Sequence, residues 1–196
     1  MTLELSEKHF RFNWFDYSKF YDFISEKQFK VLVELGSWKG HSISYLAEKN
    51  KNSEIYAVDL WEISLATEGD WIDVNRPRDK RYFEDYVDIK KIYDEYLEHN
   101  NTRHLINDIQ EEASRASRFF YDEEVDFVFI DLWAKYDETI KTLKRWYPKI
   151  KKGGILSGHD YNIEGVSKAV TEFFNQTPHD VKVMKSEIAD VWWIEK

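Results

Sequence analysis

Short apolar runs separated by stretches of helical spacing constrain this chain more than any other feature. VLVEL (31–35), EIYAVDL (54–60), RHLIN (103–107), VDFVFI (125–130) and GILSG (154–158) read as strands. SISYLAEKN (42–50) and residues 109–120, 136–148 and 164–176 read as helices between and after them. Such alternation builds βαβ units, in which near-continuous apolar strands form a parallel sheet covered on both faces. Two last runs, VKVMK (181–185) and DVWWIEK (190–196), have too little chain between them for a crossover helix, so they predict an antiparallel finish. The expected fold is α/β: a Rossmann-like, seven-stranded, mostly parallel sheet with helices on both faces and an antiparallel C-terminal strand.

Two regions fall outside that rhythm. Residues 1–29 form an aromatic N-terminal appendage carrying Phe10, Phe12, Trp14, Phe15, Tyr17, Phe20, Tyr21 and Phe23, with Ser18 the expected N-cap of a short helix. Residues 61–101 form an insertion between the second and third strands, placed to cover a substrate site. Its second half carries Tyr82, Tyr86, Ile89, Tyr93 and Tyr96 at helical spacing. With no repeat, low-complexity tract or Gly/Pro-rich linker, residues 1–196 read as a single domain.

Composition removes several classes of function. The chain has no cysteine, which excludes disulfide scaffolds, thiolate metal sites and thiol catalysis and fits a reducing compartment. With 37 acidic and 28 basic side chains, its net charge of −9 argues against general nucleic-acid binding. The basic run KTLKRWYPKIKK (141–152) reads as a solvated helix face with cations favoured near the helix C-terminus. No run of 18 apolar residues occurs, and the first residues lack a signal-peptide pattern, so a cytoplasmic location is expected.

In open α/β sheets, ligands sit beyond the C-terminal ends of the strands. The first strand ends as Glu34-Leu35-Gly36-Ser37-Trp38-Lys39-Gly40-His41, a Gly-x-x-x-Gly turn opening a helix. Gly36 and Gly40 permit a tight turn, but Trp38 stands where a dinucleotide fingerprint needs its second glycine, and no phosphate-binding P-loop motif occurs. Asp59, ending the second strand, is placed for a ribose diol, and Asp108 follows the third. Together these residues describe a pocket for an adenosine carrying something other than a pyrophosphate.

VELGSWKGHSISYLAE, YAVDLW, VDFVFIDLWAKYDETIKTLKRWYPKIKKGGILSGHDY, GVSKAVTEFF and VWWIEK, in this order, resemble the class I S-adenosylmethionine-dependent methyltransferases. The nearest branch holds sugar O-methyltransferases and cephalosporin-hydroxylase-like proteins. The resemblance implies that Glu34, Gly36 and Gly40 form the methionine-side turn, lined by Ser37 and Trp38. It implies that Asp59 holds the ribose, Leu60 or Trp61 faces the adenine, Asp108 and Ile109 contact the adenine ring, and Asp131 lies near the methionine amino group.

Metal-dependent relatives place aspartates after the fourth and fifth strands on Mg²⁺, and Asp131 and Asp160 stand at those places. The family pattern I-D-G-D-H-S-Y reads here Ile130-Asp131-Leu132-Trp133-Ala134-Lys135-Tyr136, so Trp133 replaces a carboxylate and Ala134 a histidine. His159 is then the remaining candidate base, with an orienting role as its alternative. Lys135 would serve only with a depressed pKa, and His41 reads as a helix-start residue. Trp61 and Trp133 are candidate pocket walls, while Trp71, Tyr82 and the N-terminal aromatics read as packing or as a homo-oligomer contact.

The expectation is a methyltransferase acting on a hydroxyl of a small molecule such as a sugar or glycan precursor, with Asp131 and His159 catalytic. The alternatives are a catalytically degenerate cofactor-binding module and a methyltransferase for a protein or nucleic acid.

Overall fold

The computed structural model describes residues 17–62, 89–186 and 188–196. Its elements run α1 (Ser18–Glu26), β1 (Val31–Leu35), α2 (His41–Lys49), β2 (Glu54–Asp59), α3 (Ile89–His99), β3 (Ile106–Gln110) and α4 (Ala113–Ala116). They continue β4 (Val125–Ile130), α5 (Tyr136–Trp146), β5 (Ile150–Gly158), α6 (Glu164–Phe174), β6 (Lys182–Met184) and β7 (Val191–Glu195). The seven strands lie in the order β3-β2-β1-β4-β5-β7-β6. The pairs β1–β2, β2–β3, β1–β4 and β4–β5 are parallel, and β7 is antiparallel to both β5 and β6. The chain winds outward from β1 to β3, then returns to β4 on the other side of β1. The crevice where strand order reverses therefore opens between the C-terminal ends of β1 and β4.

Strand alternation divides the core into two layers. Leu32, Ile55, Ala57, Phe127, Phe129 and Ile155 face α1, α2 and α3, meeting Phe20, Tyr21, Ile24, Ile43, Leu46, Tyr93 and Leu97. Val33, Leu35, Val58, Val128, Ile130, Leu156 and Ile194 face α4, α5 and α6, meeting Ala116, Leu143, Trp146, Val166, Val170 and Phe174. The same parity places Glu34, Asp131 and His159 toward the layer that holds α1.

Several boundaries differ from the sequence expectation. Residues 103–105 form a 3₁₀ turn and β3 runs from Ile106 to Gln110, so its C-terminal end is Gln110 and not Asn107. Alternation was masked there by Asn107 and Asp108, poor strand formers held by partners from elsewhere. The expected 109–120 helix is correspondingly reduced to α4 and the 3₁₀ turn 117–119. α5 ends at Trp146, and Gly153 takes its positive φ of 80° inside β5, whose pairing with β4 shifts register between Val125 and Phe127. Tyr17, not Ser18, occupies the N-cap of α1, without a side-chain cap bond. α5 carries Asp137 and Glu138 in its first turn and Lys144 and Arg145 in its last, complementing its dipole. Among the described residues, no helix is long and apolar enough to cross a membrane.

Candidate active site

Gly36 leaves β1 with φ 92° and donates its N–H to the Val58 carbonyl at 2.8 Å. A Cβ here would overlap the carbonyl oxygen of Asp131, so the approach of the first loop to the β4 loop requires glycine. Gly40, φ 83°, is the N-cap of α2, and its missing Cβ makes room for the Tyr93 ring. Between them Trp38 is held at φ 42°.

Asp59 fastens this turn. Its Oδ2 accepts the Trp38 N–H and its Oδ1 the Trp61 N–H, each at 2.8 Å. Burial pushes its carboxyl upward, opposed by those backbone donors. Trp61, at φ 46°, donates its indole N–H to the Trp38 carbonyl at 2.9 Å and packs against Tyr93 at 4.7 Å. It is 6 % exposed, so its ring belongs to the core more than to an open wall. Gln110 Nε2 donates to the Leu60 carbonyl at 2.9 Å, which joins the loops after β2 and β3. Glu34, Gly36, Ser37, Trp38, Gly40, Asp59, Leu60 and Trp61 are thus assembled at the ends of β1 and β2.

Asp108 and Ile109 are not part of that assembly. Both lie inside β3, where Asp108 pairs with Ala57 and Ile109 with Val58. The Asp108 carboxylate is occupied by Arg103 at 2.7 and 3.2 Å, Lys90 at 3.0 Å and the Tyr93 hydroxyl at 2.7 Å. Gln110, which pairs with Asp59, stands at the strand end where a contact from this loop would arise.

Glu34 is fully buried under α1. Its carboxylate accepts the Tyr21 hydroxyl at 2.5 Å and the Ser42 hydroxyl at 3.0 Å. Desolvation nevertheless pushes its carboxyl up to about 8, more than these two donors offset.

Across the crevice, Asp131 follows β4 and its N–H donates to the Leu35 carbonyl at 2.9 Å. Its Oδ2 accepts the Tyr17 hydroxyl at 2.9 Å. Burial, and then the charges of Asp131 and Glu34, hold the Tyr17 phenol well above its ordinary value, so it remains a donor. His159 follows β5, tied by its N–H to the Ile130 carbonyl at 3.0 Å. Its Nδ1 lies 3.5 Å from Asp131 and 3.4 Å from Asp160. Ligand atoms of Asp131, His159 and Asp160 all fall within 4.8 Å of one another.

Trp133, 38 % exposed, lines a depression beside this cluster with Ala134, Thr139, Val166 and Trp192. Lys135 is exposed at the start of α5, and His41 is the first residue of α2. Trp71, Tyr82, Tyr86 and the aromatics before Tyr17 lie outside the described residues, as does 63–88 of the expected covering insertion.

A glycine turn tied to a strand-end aspartate thus faces a second aspartate across the switch point, the place where open α/β folds hold their ligands. The chain matches the family model described as a methyltransferase domain over residues 33–161. The protein belongs to the methyltransferase domain family. No curated protein matches it. The fold of this methyltransferase is shared by the O-methyltransferase NovP, 14 % identical with a TM-score of 0.66, the match covering 91 % of this chain and 77 % of NovP. The O-methyltransferase from Bacillus cereus in complex with S-adenosylhomocysteine is 12 % identical with a TM-score of 0.62, covering 91 % and 80 %. The fibrillarin of Aeropyrum pernix with bound S-adenosylmethionine is 12 % identical with a TM-score of 0.56, covering 84 % and 66 %.

Tyr17 and Tyr21 are the residues near this crevice that motif reading misses. The available signal was Glu34 itself: a carboxylate inside an apolar strand demands a buried donor, and the α1 face with tyrosines at i and i+4 supplies it.

Proposed function

We propose that this methyltransferase modifies a hydroxyl of a small molecule, with a sugar or glycan precursor as the acceptor class. The observation that carries the reading is the cluster of Asp131, His159 and Asp160 in the crevice between β1 and β4, beside the glycine turn. The crevice suits a cationic cofactor, because Asp131 is met by a phenol and an imidazole and by no lysine or arginine among the described residues. Residues 34–40 and 59–61 would hold S-adenosylmethionine, with Asp131 toward its amino group. When bound, the cofactor supplies a methyl carbon already activated by its sulfonium.

The chain's own task is to align the acceptor and remove its proton. His159, whose Nδ1 faces two carboxylates, is the group to receive the hydroxyl proton. Asp131 and Asp160 stabilise the imidazolium that results, and Trp133 offers an indole face to a ring beside it. The O-methyltransferases among the structures sharing this fold support a hydroxyl acceptor.

A divalent ion at the same three residues is the second reading, favoured by their mutual distances. Two carboxylates with an imidazole suit Mn²⁺ or Zn²⁺ better than Mg²⁺, which prefers oxygen ligands throughout.

Calorimetric titration with S-adenosylmethionine and S-adenosylhomocysteine, with and without Mg²⁺ or Mn²⁺, is the first test. Micromolar binding is expected, and a screen of sugar nucleotides and small glycosides is then expected to give methyl incorporation. Binding without transfer to any hydroxyl favours a degenerate cofactor-binding module. Transfer to protein or nucleic acid instead overturns the acceptor class.

A further inference from the structure

The methyltransferase match begins at residue 33, inside β1, so α1 and the residue before it lie outside it. Even so, this segment reaches the centre of the crevice. Tyr17 is 2 % exposed, and its hydroxyl donates to Asp131 Oδ2 at 2.9 Å. Its ring lies 4.9 Å from the His159 ring and 4.6 Å from that of Phe129. Tyr21, one helical turn on and 5.2 Å away edge to face, makes the parallel bond to Glu34. Phe20 anchors the helix on the sheet against Phe127, Phe129 and Trp193.

We propose that Tyr17 is a positioning residue of the active site, its hydroxyl fixing the Asp131 carboxylate and its ring fixing the His159 imidazole. The inference rests on the reading of Asp131 and His159 given above. An aspartate has two soft torsions, and a single hydrogen bond to one oxygen turns the other toward His159. The ring contact closes one side of the imidazole. Neither restraint comes from the matched region, so the helix before β1 is a working part of this enzyme's site.

Tyr17→Phe keeps the ring and removes the hydroxyl. In the full chain it is expected to unfold within a few degrees of wild type. It is also expected to bind S-adenosylhomocysteine roughly tenfold more weakly, the order set by one hydrogen bond to a charged group. The imidazole NMR signals of His159, assigned with His159→Gln, are expected to move. Phe20→Leu, which loosens the anchoring of α1, separates a docking effect from a positioning one. It should lower the unfolding temperature and leave the His159 signals in place.

Wild-type affinity and unmoved His159 signals in Tyr17→Phe would overturn the inference. So would affinity losses in both variants that simply track their unfolding temperatures. Wild-type protein that fails to bind S-adenosylhomocysteine overturns the active-site reading and this inference together; binding by wild type with an unchanged Tyr17→Phe overturns this inference alone.

Discussion

Asp108 and Asp131 both read from the sequence as following a strand, yet the fold puts them in opposite electrostatic settings. Asp108, on the edge strand β3, is met by two cations and a phenol, with Arg103 reaching it through two nitrogens. Asp131, beside the central pair β1 and β4, is met among the described residues by one phenol and one imidazole. The first carboxylate is neutralised within the chain, as structural ion clusters are, and has little left to offer a ligand. The second has no lysine or arginine beside it among the described residues. The two aspartates therefore differ in the charge their neighbours supply, a distinction that position along the sequence does not reveal.

Asp131→Asn should break that contrast most severely. Methyl transfer is expected to fall by about 100-fold or more, the scale of losing a positioned polar group at the reacting centre, while thermal unfolding stays near wild type. Kinetics comparable to wild type would remove Asp131 from the site.

Asp108→Asn should do the reverse. Removing the charge that Arg103, Lys90 and Tyr93 meet, with Asp94 still pairing both cations, is expected to cost about 1 kcal/mol of stability in urea unfolding. Affinity for S-adenosylhomocysteine should be unchanged, and a selective loss of that affinity would return Asp108 to the cofactor pocket.

Glu34 sharpens the comparison through pH. Its carboxyl is raised in the folded protein from the ordinary 4.5 to about 8, so the native state holds the proton more tightly than the unfolded chain. That contribution to stability is fully present below about pH 4.5 and is lost as pH rises through about 8, with a limiting slope of about 1.4 kcal/mol per pH unit. Glu34→Gln, neutral throughout, should gain on wild type between pH 6 and 9. Parallel stability curves for the two proteins would show that Glu34 does not titrate in this range.

The smallest effect is expected at Trp133. Removing its indole in Trp133→Ala should raise the acceptor KM by roughly threefold to tenfold, the worth of one aromatic face. Cofactor affinity should not change. An unaltered acceptor KM would exclude Trp133 as a pocket wall.

Legibility followed the source of each constraint. Strands β1, β2 and β4, the glycine turn and the antiparallel finish were readable because apolar runs and glycines carry their own signal. β3 was not, since Asn107 and Asp108 are tolerated there only through Ile55, Arg103, Lys90 and Tyr93. That one misplaced boundary moved Asp108 to a strand end on paper and hid Gln110. The link from Tyr17 to Asp131 spans 114 positions and arises from how α1 docks, which no local pattern encodes.

The position of β7 carries a consequence for how this molecule fails. Among the described residues β6 pairs with β7 alone, so the two strands join or leave the sheet as a hairpin. Detachment would bare the flank of β5 from Ile155 to Gly158 and uncover Trp192 and Ile194, which are buried when the hairpin is in place. An exposed apolar edge of that kind recruits a strand from any neighbour. Self-association under mild heat or denaturant is therefore expected to begin at this margin of the sheet, and because Trp192 also lines the depression beside His159 and Asp160, detachment would disturb the candidate site as well.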